Sequence, residues 1–217
     1  MTAICGTPLG LCAVRVTRLD SLGNVAAGPN NSYVTSSPIS IVATPVLSAG
    51  DDRELKSGCG CITAAAKLPD VLKRFTLAFV DGILEPAMVE MLLGATLISS
   101  GADPVGFSYP NQVGCANPQQ PNVAIEGWAK NWNSTYQDPT RPWIHYVWPM
   151  SSWQPGAENH QNDFEQPTFD GFTKPNALWN HGPYGDGVVV GQMGAVFQTA
   201  IAPPVGSCGY ATVSPSS

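Results

Sequence analysis

Three histidines, six cysteines and sixteen acids hold most of the chemical capacity of this 217-residue chain. His145 lies in an aromatic run, WIHYVWP, while His160 and His181 lie in polar, loop-like sequence. A zinc site or a nucleophile triad needs partners at set spacings, and no HxH, HExxH or GxSxG accompanies them. His145 therefore reads as a core or interface residue, and none of the three as catalytic. Glu158, Asp163 and Glu165 suggest a glycosidase pair or a calcium loop. An EF-hand, however, alternates its acids, places a glycine at the centre and closes on Glu. The three read instead as solvated loop acids. Gly185 and Gly187 precede a strand-like run without Lys-Ser/Thr, so no phosphate-cradling loop is present. Asn30-Asn31-Ser32 and Asn133-Ser134-Thr135 match the glycosylation sequon by chance in a chain without a secretory signal.

The cysteines are Cys5, Cys12, Cys59, Cys61, Cys115 and Cys208. Their even number invites a disulfide framework. The opening MTAICGTPLG has neither a basic n-region nor an apolar h-region, so the reading is a chain without a signal peptide, its thiols free and acting as small hydrophobes. Cys59-Gly-Cys61 is too close for an ordinary disulfide and is not a CxxC pair. No second CxC or nearby His completes a metal site. The expectation is no enzyme, no cofactor and no metal.

The six tryptophans all fall within residues 128–179. Such a set serves either as stacking platforms for sugars or as anchors of a protein interface. Charge decides between the two. Charged residues make up 12% of the chain, about half the usual ~25%, which suggests a surface covered by neighbours. The net charge is −6, and after residue 150 Lys174 stands alone against Glu158, Asp163, Glu165, Asp170 and Asp186. No Lys/Arg cluster is available to grip phosphates. No apolar run approaches the ~18 residues of a membrane span.

The elements that must position these residues are mostly strands. Gly and Pro are abundant (22 and 20), aromatics are plentiful, and the chain reads as a turn-rich β protein. Residues 12–19 alternate, with Val14 and Val16 on one face and Arg15 and Thr17 on the other. Residues 32–47 are β-branched, and Pro38 and Pro45 confine them to strand ends or an edge. Residues 48–58, SAGDDRELKSG, form the densest charge run, the tip of a hairpin or an extended loop, and 59–66 return as a strand of small residues. In 72–80, Phe75, Leu77 and Phe79 make a core face. Residues 85–94 are the one convincing helix, with Pro86 in its first turn, Glu85 and Glu90 toward its start and Gly94 as terminator. Residues 95–100 suggest a strand, 101–122 a long Pro-rich loop, and 123–130 another strand. Residues 143–149 form a strand covered on both faces, and 150–165 a loop. Residues 166–175 read as a bulged strand, 188–202 as a strand pair or buried segment, and the tail after Pro203 as small, polar and mobile or draped. No repeat appears. The domain reading is one unit over 1–202 with a tail over 203–217.

In order of elements, the chain resembles the major tail tube protein of long-tailed bacteriophages. The resemblance rests on CAVRVTRLDSLGNVAAGPN, on VLKRFTLAFVDGILEPAMVEMLLG with its strand and Glu-Pro helix, and on IHYVWPMSSWQP leading to FDGFTKPNALWNHGPYGD. It spans roughly residues 11–187. It implies a two-sheet β-sandwich or barrel-like fold flanked by one helix. Six copies would close a ring by joining sheets into an inner barrel, and stacked rings would conduct DNA during genome ejection. Implied partners are other copies, tail tip and terminator proteins, the tape measure protein and passing DNA. The implied location is the virion tail, with assembly in the host cytoplasm. An arm carrying Asp51, Asp52, Arg53, Glu54 and Lys56 would contact another copy. The lumen would be net acidic, with Glu126 and Asp170 as candidates for it. The alternative function is a carbohydrate- or receptor-binding β-sandwich.

Overall fold

The computed structural model describes residues 6–101, 103–110, 120–133, 135–158, 165–179, 191–204 and 208–213. In chain order the elements are β1 (Thr7–Arg18), β2 (Ser32–Thr35), β3 (Pro38–Ser48), β4 (Asp52–Lys56), β5 (Ile62–Lys67) and β6 (Val71–Asp81). Helix α1 (Pro86–Leu93) follows, then β7 (Thr96–Ser100), β8 (Asp103–Ser108), β9 (Val123–Asn133) and β10 (Tyr136–Gln137). The chain continues through β11 (Trp143–Pro155), β12 (Thr168–Thr173), β13 (Ala195–Thr199) and β14 (Gly209–Ala211).

The main sheet runs β14-β2-β1-β9-β11-β12-β6-β3, with β10 added on β9 and β13 on β11. It does not close into a barrel. Instead β11 divides it. Residues 143–148 of β11 pair with β9 and β13, residues 151–155 pair with β12, and the β9 register slips between Trp148 and Ser151. Such a slip bends a strand and lets it change sheets. Leaf A is therefore β14, β2, β1, β9, the first half of β11 and β13. Leaf B is the second half of β11, β12, β6 and β3.

The inner faces of the two leaves share one core. Val14, Val16, Ile125 and Trp148 come from leaf A, and Leu77, Phe79, Trp153 and Phe169 from leaf B. Strand alternation produces this directly, because every second residue points inward. Gly171 is required at the contact, since a Cβ there would lie 2.7 Å from the Trp153 ring. Helix α1 adds Met88, Met91 and Leu92 to the same core. Pro86 begins it, and Gly94 ends it in the left-handed conformation (φ 69°), its N–H bonded to the Glu90 carbonyl at 2.9 Å. Glu90 does not serve the helix start. It pairs with Arg18 and accepts from the Tyr210 hydroxyl at 3.2 Å. A second cluster, Val25, Ala124, Val147, Trp179, Phe197 and Val213, covers the outer face of leaf A.

Three expectations need correction and a fourth is narrowed. Residues 101–122 are not all loop, because β8 pairs with β7 in a separate hairpin that tolerates Pro104. Residues 150–155 continue β11 instead of opening a loop, the buried serines Ser151 and Ser152 having hidden the period. Strand β12 carries no bulge, and its ladders to β6 and β11 are in continuous register. Of the two readings of the tail, mobile fails and draped holds over 208–213: β14 pairs with β2, and the Asn31 side chain both donates to the Val213 carbonyl (2.7 Å) and accepts its N–H (2.8 Å). The helix and the Phe75, Leu77, Phe79 core face match expectation. No helix among the described residues is long and apolar enough to cross a membrane.

Candidate functional site

The charge run and the strand after it form one arm. Strands β4 and β5 extend the β3–β6 hairpin beyond its last pair, Ser48↔Val71. Every residue of both is exposed. The register pairs Asp52 with Lys67, Arg53 with Ala66, Glu54 with Ala65 and Leu55 with Ala64, then slips to pair Lys56 with Ile62. Alternation places Asp52, Glu54 and Lys67 on one face and Arg53, Leu55, Ala64 and Ala66 on the other. At the base, Gly50 is obligatory: a Cβ would lie 1.9 Å from the Leu68 carbonyl oxygen. The arm's ion pairs are local, Arg53–Asp51 at 2.8 Å and Lys56–Glu54 at 3.2 Å. Exposed pairs of this kind contribute at most about 1 kcal/mol each. All five arm residues named from sequence therefore share one projecting hairpin.

Asp170 is exposed at the centre of the outer face of leaf B, opposite Ala78 and Gln154. Its surroundings are small or uncharged: Val42, Thr44, Thr76 and Ala78. Arg74 and Lys174 flank Phe172 on the same side, with cation-to-ring distances of 5.5 and 5.4 Å. Lys174 also donates to Ser152 at 2.7 Å and to Asn122 at 3.0 Å, and partial burial lowers its pKa. One acid thus faces two bases, and this face is sparsely charged rather than net acidic.

Glu126 does not reach an open face. It is 1% exposed, on the outer side of leaf A beneath the second cluster. Its pairing follows from register, because Arg15 lies opposite it on β1 and Val147 opposite it on β11. Arg15 donates to Glu126 at 2.7 Å through Nε, and His145 Nε2 lies 3.1 Å from the other carboxylate oxygen. Burial alone would raise the Glu126 pKa, but the Arg15 charge and the His145 contact more than offset it, leaving it below the ordinary value. The Trp128 ring stacks on His145 at 4.2 Å and lies 5.5 Å from the Arg15 guanidinium. Arg15, Trp128, His145 and Phe197 thus form a ladder across four strands, with Glu126 bridging two of its members. Sequence reasoning missed this ladder, since its residues come from distant strands and only register unites them.

The remaining candidates separate. None of the six tryptophans is exposed: Trp128, Trp148, Trp153 and Trp179 are buried, and Trp132 and Trp143 half-buried. Sugar-stacking platforms are therefore missing from the set that suggested them. Glu158 is not simply solvated, because it accepts a hydrogen bond from Tyr109. Burial, then that bond, pushes the Tyr109 hydroxyl up to about 12. Cys12, Cys59, Cys61 and Cys208 are free thiols. Cys5, Cys115, His160, His181, Asp163, Asp186, Gly185 and Gly187 lie outside the described residues. The sequence matches no protein-family model and no curated protein.

Proposed function

We propose that this protein is a structural subunit of a bacteriophage tail tube, six copies to a ring and rings stacked along an axis. The observation that carries the reading is the arm. Ordering a hairpin costs about 1–2 kcal/mol per residue in backbone entropy, and a lone two-stranded hairpin is marginal in water. An arm with every residue exposed recovers little of that cost within its own chain. A second copy laid against the Leu55, Ala64 and Ala66 face would recover it.

Two further features support the same assembly. Strand β3 is an 11-residue edge with Ile39, Val42 and Leu47 exposed, and a long apolar edge invites pairing with another chain. The outer face of leaf A is covered by Val25, Trp179 and Val213, whereas no described residue packs a comparable cluster over that of leaf B. Leaf B is therefore the face assigned to the lumen, joined edge to edge between copies. Val42, Thr44, Thr76 and Ala78 offer no charge to phosphate, which leaves Arg74 and Lys174 as the bases on this face that DNA would meet. This revises the acidic wall expected from sequence: Asp170 remains a lumen residue and Glu126 does not. Tail tip, terminator and tape measure proteins are the remaining partners, with assembly in the host cytoplasm and residence in the virion tail.

The test is electron microscopy of the protein nucleated with a tail-tip complex, beside a variant lacking residues 50–57. Six-fold rings and tubes are expected from the intact chain, and a folded monomer from the deletion. An intact chain that stays monomeric with the nucleus present, or a deletion variant that still grows tubes, overturns the proposal.

A further inference from the structure

The arm ends in a feature to which the proposed assembly assigns no role. Cys59 and Cys61 flank Gly60 at its tip, and both are exposed. The turn is closed by Gly60 N–H to the Ser57 carbonyl and Ser57 N–H to the Cys61 carbonyl, each 2.8 Å. Gly60 has φ 82°, a conformation that favours glycine. The space where Cβ atoms would stand at Gly58 and Gly60 is empty, so the tip is open to solutes.

The spacing disfavours bonding the two sulfurs to each other. A disulfide needs them about 2.05 Å apart with a dihedral near 90°. Two thiolates on one ion need far less closure. With metal–sulfur bonds of about 2.3 Å, the sulfurs sit roughly 4 Å apart or more. Among the described residues no group of three His, Cys, Asp or Glu able to hold a metal occurs, and the tip itself supplies two thiolates. Zinc requires four ligands, whereas a soft ion content with two thiolates requires only this pair.

We infer that the arm tip is a two-thiolate site for a soft monovalent cation of the copper(I) class. Two thiols give their protons to solvent and two sulfur–metal bonds form, with no change of oxidation state. The site is independent of ring formation and holds for the free chain.

The experiment is an anaerobic competition titration of the full, reduced chain with copper(I) against a chromophoric copper(I) chelator, with Zn(II) as comparison. One tight equivalent of copper(I) is expected. Cys59→Ser or Cys61→Ser should each weaken it at least about 100-fold, because the second sulfur binds at high effective concentration. Cys12→Ser and Cys208→Ser should leave it unchanged. Circular dichroism of the tip variants should match the parent, since both side chains are exposed. Single tip variants that keep affinity within about threefold, a double variant that still takes the tight equivalent, or equal affinity for Zn(II) would each overturn the inference.

Discussion

Leaf A and the arm use the same kinds of charged residue to opposite ends. In leaf A, Glu126, Arg15 and His145 meet through three strands and lie under an apolar cover. In the arm, Asp51, Arg53, Glu54 and Lys56 pair only with near neighbours in the chain and face water. A buried charge is held because its loss would leave partners uncompensated, whereas an exposed pair is screened and dispensable to the fold. The arm's charges are therefore free to serve contacts between molecules, and those of leaf A are committed to one.

The largest expected effect breaks the buried side of this contrast. Glu126→Ala strands Arg15 and His145 against the Trp128 ring and should cost about 3 kcal/mol of stability, read by urea denaturation. A loss below about 1 kcal/mol would place the ladder's charges on the same footing as the arm's. Acid titration follows. The folded pKa of Glu126 lies below its ordinary value of 4.5. Its contribution is thus fully present above that value and is lost as pH falls through the folded pKa. Lys56→Ala should keep this acid limb of the stability curve, and Glu126→Gln should flatten it. Identical limbs in the two variants would contradict the assignment.

A smaller effect sharpens the exposed side. Gly50→Ala drives a Cβ into the Leu68 carbonyl at the arm's base. Amide exchange in β4 and β5 should accelerate at least about tenfold while global stability changes by less than about 1 kcal/mol. A global loss equal to that of Glu126→Ala would mean that arm and leaves fold as one unit. The smallest effect is that of Lys56→Ala itself, within about 0.5 kcal/mol by the same denaturation.

What sequence made legible was whatever a single strand or helix decides alone. Alternation gave Val14 and Val16 one face and Phe75, Leu77 and Phe79 another. Pro86 and Gly94 bounded α1, and the run DDRELK marked the arm. What escaped depended on pairing. Glu126 looked like a face residue because alternation gives a side of the sheet but not what covers that side. The cover comes from Val25, Trp179 and Val213. Asn31, noted in the sequence as part of a chance sequon, clasps Val213 across 182 positions. β11 was read seven residues long because Ser151, Ser152 and Gln154 break the hydrophobic signal where the strand changes partners.

That change of partners has a mechanical consequence. Load passing between the leaves along β11 runs through the covalent backbone at Pro149 and Met150 instead of relying on a row of ladder hydrogen bonds. A sandwich whose sheets meet only through side chains can shear apart at its core, one contact at a time. Here the leaves are spliced by a continuous 13-residue strand. Tension crossing from leaf B to leaf A meets, at that splice, a link that does not unzip, and yields only in the ladders on either side of it.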